Sequence, residues 1–287
     1  MHRKSSRRRP VPEDLRDQIT VRPVLRIRNG EIRSEDDFLV REEPLEIMIS
    51  GRTYAITMRS PGDEMALAAG MLFAGGVISR PEDLASISYC SEDARNCIQV
   101  TLASSLQLPD GLRLGYPACR TVPSRGPYTQ ETMESILRGM KRGGRSTQED
   151  VRRIRVDYRS LFDLLDQLTS RQKLFTASGG AHAAALFDVN MGKLAVAEDV
   201  GRHNAMDKAI GQAFMSGNLG EVVFCVTSSR GSFEMVLKAA SAGAVIMATA
   251  SAPTDQAIRL ADQAGMTLIG FLRAERMNIY TGKDRIK

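Results

Sequence analysis

The sequence predicts an α/β protein, with a mostly parallel sheet in its C-terminal domain and a smaller, β-rich α+β domain ahead of it. Three observations carry this. From residue 174 onward, short continuous apolar runs alternate with helical stretches, the pattern of β-α-β units whose strands are buried on both faces. Between 24 and 60 the runs are strand-like and are broken by turn residues. An irregular stretch at 103–128, with Pro109, Pro117, Pro123 and Pro127, separates the two regions. The expected organisation is therefore a basic, disordered tail over 1–23, a β-rich domain over 24–128 and an α/β domain over 129–287.

The elements follow in order. Runs at 45–49 and 53–58 flank Ser50-Gly51-Arg52 and predict a hairpin. Ser60-Pro61-Gly62-Asp63 breaks the second strand and precedes a helix over 64–74, which Gly75-Gly76 ends. Strands are expected at 87–89 and 98–102, and helices at 130–142 and 157–169, joined by a polar, glycine-rich link at 143–150. In the second of these helices Leu161, Leu164, Leu165 and Leu168 repeat at one helical face. Strands are then expected at 183–187, 194–197, 222–226, 245–248 and 267–271. Helices are expected at 205–215, 233–242 and 255–264, the first with Asn204 as its N-cap.

Composition narrows the function. The net charge is +5, but of 39 basic residues five (Arg3, Lys4, Arg7, Arg8, Arg9) lie in the first ten, leaving 34 against 34 acidic ones. The body is neutral, so a nucleic-acid partner is not expected and the tail reads as a solvated arm. Arg7-Arg8 has no apolar stretch after it, which argues against a twin-arginine export signal. No apolar run reaches the ~18 residues a membrane helix needs. The four cysteines, Cys90, Cys97, Cys119 and Cys225, form no C-x-x-C pair. A disulfide framework or zinc site is not expected, and a reducing, cytoplasmic setting is. Cys225 sits in an apolar strand as inert core, Cys90 and Cys97 flank a charged turn and look incidental, and Cys119 lies in a loop beside Arg120, which would stabilise its thiolate.

In a parallel sheet, ligands bind beyond the carboxyl ends of the strands. Those positions hold Thr227-Ser228-Ser229-Arg230-Gly231-Ser232, then Thr249-Ala250-Ser251-Ala252-Pro253-Thr254, then Phe271-Leu272-Arg273-Ala274-Glu275-Arg276. Hydroxyls and arginines at helix starts suit a phosphate-bearing ligand. They also suit plain helix caps and surface arginines. A second polar cluster is Glu198-Asp199-Val200-Gly201-Arg202-His203-Asn204, and a third is Ser178-Gly179-Gly180-Ala181-His182. His182 and His203 read equally as structural or functional residues. The H-x-E and P-C-x-x-C pattern of zinc deaminases is missing, as are G-x-G-x-x-G and Walker motifs, so zinc hydrolysis, dinucleotide redox and ATPase chemistry are not expected.

The segments EEPLEIMISG (42–51), ITMRSPGDEMALAAGMLFAGG (56–76), SGGAHAAALFD (178–188), EDVGRHNAMDKAIG (198–211), SFEMVLKA (232–239), SAPT (251–254) and TLIGFLRAERMNIYTGKDR (267–285), in this order, resemble the FdhD/NarQ family of formate dehydrogenase accessory proteins. The resemblance spans residue 24 to the C-terminus. It implies a sulfurtransferase that accepts sulfur from a cysteine desulfurase as a persulfide on a loop cysteine, here Cys119. The sulfur passes to the bis-molybdopterin guanine dinucleotide cofactor of formate dehydrogenase. It also implies a cytidine-deaminase-like C-terminal fold without zinc, and a homodimer. The guanine end of the cofactor, mimicked by GDP, would lie on Phe271, Leu272, Arg273, Ala274, Glu275 and Arg276. Ser229, Arg230 and Ser251, at the neighbouring strand ends, would help hold the cofactor's guanosine and phosphates, and His182, Asp199, Arg202 and His203 would shape that site or shuttle protons.

Two departures matter. The family loop carries C-G-x-C-G, whereas Cys119 stands alone here: either Val122 replaces the second cysteine or Tyr116 the first, and the preceding small residue favours the former. Ser229 stands where glycine is usual. One thiol suffices to carry a sulfane sulfur, while a second would assist release. The alternative implied by the lost cysteine is a cofactor-binding chaperone that transfers no sulfur.

Overall fold

The computed structural model describes residues 11–91, 94–104 and 154–287. The loop around Cys119, the helix expected at 130–142 and the link at 143–150 lie outside the described residues. Strands β1 (Ile19–Arg28) and β2 (Glu31–Val40) form an antiparallel hairpin. Strands β3 (Glu43–Ile49) and β4 (Arg52–Arg59) form another. Both turn on two residues in the left-handed region, Asn29-Gly30 and Ser50-Gly51, which match the twist of the flanking strands. Helix α1 (Glu64–Ala74) follows, then β5 (Leu84–Tyr89) and β6 (Cys97–Leu102), giving a four-stranded sheet in the order β4-β3-β6-β5.

The chain resumes in α2 (Tyr158–Thr169) and α3 (Lys173–Ser178). Strands β7 (His182–Phe187) and β8 (Lys193–Asp199) and helix α4 (Arg202–Met215) follow. Then come β9 (Phe224–Thr227), α5 (Phe233–Ser241), β10 (Ile246–Thr249) and α6 (Asp255–Gln263). β11 (Thr267–Arg273) and β12 (Arg276–Ile279) complete a six-stranded sheet ordered β12-β11-β10-β9-β7-β8. Alternate residues bury on its two faces. Phe187, Val226, Ile246, Ala248 and Ile269 meet the leucine stripe of α2. Leu186, Cys225, Met247 and Leu268 share a second core with Met206 and Ile210 of α4 and Met235 of α5.

Four expectations are corrected. The sheet is mixed: β9, β10 and β11 pair parallel with one another, whereas β7 pairs antiparallel with both β8 and β9, and β12 pairs antiparallel with β11. Burial on both faces imposes the same apolar run on a strand of either direction, so the sequence pattern did not distinguish them. Residues 11–23 are not tail: Leu15 and Ile19 are buried with Phe38, Leu174 and Ala181, so the first hairpin packs on the C-terminal layer. Asn204 lies inside α4, whose N-cap is Gly201. Cys90 and Cys97 are joined by a disulfide, with Cα atoms 5.4 Å apart across the β5–β6 pair. Half of the cysteines therefore give no support to a reducing compartment.

The two layers meet where α1 crosses α4. Gly70 lies against the Asp207 carbonyl and Gly211 against the Ala66 carbonyl, so each helix offers the other a bare backbone. Nearby, Lys238 Nζ donates to Asp207 Oδ1 at 2.6 Å, both groups buried.

Candidate functional site along one sheet edge

Because β9, β10 and β11 are parallel, their carboxyl ends share one edge of the six-stranded sheet. β7 runs against β9, so its first residue, His182, comes to that edge, and β8 returns with Asp199 opposite His182. The polar clusters singled out in the sequence, separated by up to nearly a hundred residues, therefore line one edge in spatial order. It is the β7–β8 antiparallel pair, rather than a fully parallel sheet, that brings the histidines there. Three helices, α4, α5 and α6, begin along this edge, and helix N-termini carry free N–H groups and partial positive charge.

His182 is half-buried, and its imidazole is held below the ordinary histidine pKa by burial first, then by the charges of Arg202 and Arg230 and by His203. A neutral imidazole beside two guanidiniums can accept a hydrogen bond or a proton. His203 Nε2 lies 2.9 Å from Glu234 Oε2 at the start of α5, close enough for an ion pair though not aligned as a hydrogen bond. Arg202 Nε and Ser232 Oγ are buried and have no hydrogen-bond partner among the described residues. Arg230, Arg273 and Arg276 are exposed. Unsatisfied donors, arginines and helix starts at one edge fit an anionic, phosphate-bearing ligand.

Other expected site residues have different work. Ser229 is buried, accepts from Thr227 Oγ1 at 3.1 Å and donates to the Arg230 carbonyl at 3.1 Å, so its hydroxyl shapes the turn that presents Arg230. Ser228 Oγ accepts the Ala183 N–H at 2.9 Å and ties the same turn to β7. Thr254 caps α6, with Oγ1 accepting from Ala257. The Ser251 carbonyl accepts the Phe271 N–H at 3.2 Å. This holds Phe271 in the left-handed region (φ 53°) with its ring exposed. Leu272 is fully buried core, while Arg273, Ala274, Glu275 and Arg276 form the exposed turn into β12. Of the segment 271–276, Leu272 supports the edge from below and the others face outward.

Asp199 is fully buried and its carboxylate is consumed within the protein. It pairs with Lys208 Nζ at 2.7 Å and accepts from the Ser60 N–H at 3.1 Å, the Gly201 N–H at 2.9 Å and Asn204 Nδ2 at 3.1 Å. Lys208 also donates to the Ser60 carbonyl at 2.8 Å, and Ser60 Oγ accepts the Val200 N–H at 3.0 Å. Asn204 Nδ2 donates to the Met58 carbonyl at 2.7 Å. These bonds latch the segment after β4 onto the edge. Ser60, Lys208 and Glu234 were not picked out as site residues, and Ser232 was named only as the end of the polar stretch after β9. The motif 56–76 contained Ser60, but no single sequence reveals that it meets residue 199.

Cys225 is buried core, its thiol pushed up to about 12 by burial, and is unreactive. Among the described residues no three His, Cys, Asp or Glu side chains are grouped to hold a metal ion, and no helix is long and apolar enough to cross a membrane.

Comparison with known proteins gives this edge a context. Residues 40–287 match the family model described as the FdhD/NarQ family. The chain is 40% identical over 277 residues to a protein of Streptomyces avermitilis named sulfur carrier protein FdhD, covering 92% of this chain and 94% of that one. Proteins of the same name match at 37% identity in Mycobacterium tuberculosis (92% and 97% covered) and at 34% in Sulfurisphaera tokodaii (92% and 97%). The crystal structure of a candidate formate dehydrogenase accessory protein from Desulfotalea psychrophila superposes with a TM-score of 0.73. It covers 94% of this chain and all of its own at 22% identity, which speaks for a shared fold. The chain belongs to the FdhD/NarQ family.

Proposed function

We propose that the protein is a sulfur carrier in formate dehydrogenase maturation, with Cys119 as the carrying thiol and the described edge as the seat of a guanine-nucleotide-bearing molybdenum cofactor. The observation that carries the reading is the edge itself: Arg202, Arg230, Arg273 and Arg276, the orphaned Ser232 Oγ and three helix starts, in a chain whose relatives bear the sulfur-carrier name. The Cys119 thiolate attacks the terminal sulfur of a desulfurase persulfide. Cys119 becomes the persulfide and the desulfurase leaves as its thiol. The bound cofactor is the cargo that then receives this sulfur. His182, neutral and flanked by arginines, is placed to accept a proton at that edge. A homodimer in the cytoplasm, with a cysteine desulfurase and formate dehydrogenase as partners, completes the proposal.

GDP is the probe for the cargo site. Arg230→Ala and Arg273→Ala are each expected to weaken GDP binding about 10- to 100-fold in calorimetric titration, the loss of one charge-assisted contact. Unchanged affinity in both variants would move the nucleotide off this edge. The single cysteine among residues 115–122 favours a second reading, a cofactor chaperone without sulfur transfer. A Cys119→Ala protein that still supports formate dehydrogenase maturation in cells would establish that reading and end the first.

A further inference from the structure

The Cys90–Cys97 bridge closes a hairpin loop that reaches the functional edge through one buried side chain. Cys90 is exposed and Cys97 half-buried, so a solvent thiol can reach the bond. Within the closed loop, the Arg95 carbonyl and Asn96 Oδ1 accept from Arg59 Nη2 at 3.3 and 2.7 Å. Arg59 is 1% exposed, and its remaining partners are Glu43 at 3.3 Å and Glu64 at 3.1 Å. A buried guanidinium that loses half of its acceptors is poorly compensated. Arg59 ends β4, and the next residue, Ser60, makes three bonds to the edge: its N–H to Asp199, its carbonyl from Lys208 and its hydroxyl from Val200.

We propose that Cys90–Cys97 is a reversible thiol–disulfide site whose state sets the hold of the Arg59–Ser60 segment on residues 199–204. In the exchange, a dithiol reductant gives two electrons and two protons to the bridge. Cys90 and Cys97 become thiols and the reductant becomes its disulfide. The loop then loses its covalent closure, and the acceptors at 95 and 96 are held opposite Arg59 by backbone bonds alone, chief among them the Glu46 N–H to the Asn96 carbonyl at 2.9 Å. The site needs no nucleotide and no Cys119 chemistry, so it stands whether or not the sulfur-carrier reading does.

The test is hydrogen exchange by mass spectrometry on the full chain, oxidised and after equilibration with dithiothreitol, with alkylation reporting the state of Cys90 and Cys97. Reduction should speed exchange of peptides covering 58–63 and 199–204 by about tenfold, leaving β9 and β10 unchanged. The Cys90→Ser/Cys97→Ser protein should exchange like the reduced form and ignore dithiothreitol. Full reduction with no change at 58–63 would reduce the bridge to a local staple and overturn the proposal. So would alkylation showing both thiols free in protein purified without reductant and exposed to an oxidised dithiol.

Discussion

Lys208→Met should destabilise the protein by about 3–5 kcal/mol, the cost of stripping a buried carboxylate of its counter-charge. Lys208 and Asp199 are 1% and 0% exposed and 2.7 Å apart, with no solvent to take over either charge. Removing the ammonium leaves Asp199 with N–H donors only and releases the Ser60 carbonyl as well. The doubly substituted Lys208→Met/Asp199→Leu protein should recover only part of that loss, because it leaves no unpaired buried charge but still strands the Ser60 N–H and carbonyl that the pair had satisfied. Urea unfolding of the three proteins measures this directly, as a shift in midpoint at constant slope. A single-variant loss below about 1 kcal/mol would mean that water reaches the pair and the latch is weaker than its geometry implies.

Gly70→Ala and Gly211→Ala should each lower the melting temperature by about 10 °C, from a cost of roughly 3 kcal/mol. A Cβ on Gly70 would stand 2.7 Å from the Asp207 carbonyl carbon, and one on Gly211 would stand 2.6 Å from that of Ala66. The obstacle in both cases is backbone, which cannot rotate away. The helices must separate, opening the core shared by Leu67, Met206 and Ile210. Alanine's advantage in helix propensity, about 1 kcal/mol, acts in the opposite direction and is too small to prevail. Calorimetric scans that show either variant unchanged would contradict the close crossing.

Much of this was legible in the sequence because it is local. The leucine stripe of α2 follows from period alone, and the helix predicted at 64–74 is the one observed, bounded by Asp63 and Gly75. What failed was what depends on distant partners. Asn204 has the chemistry of an N-cap, but α4 begins two residues earlier at Arg202, and the amide instead binds Met58 across the layer boundary. Asp199 reads as a ligand-binding acid in a polar cluster, yet its partner Ser60 is 139 residues away. The Cys90–Cys97 bridge depends on the β5–β6 register, since the pair lacks the close spacing that marks a motif. Conversely, the sequence placed Arg230 and Arg273 at this edge because a position at the end of a strand and ahead of a helix or turn is a local signature.

The sulfur-carrier account turns on one thiol. Intact-protein mass spectrometry after incubation with a cysteine desulfurase and cysteine, beside a Cys119→Ala control, tests it most directly. The account predicts a gain equal to one sulfur atom in the native chain and none in the control. No gain in the native chain, or a gain that persists without Cys119, would contradict it.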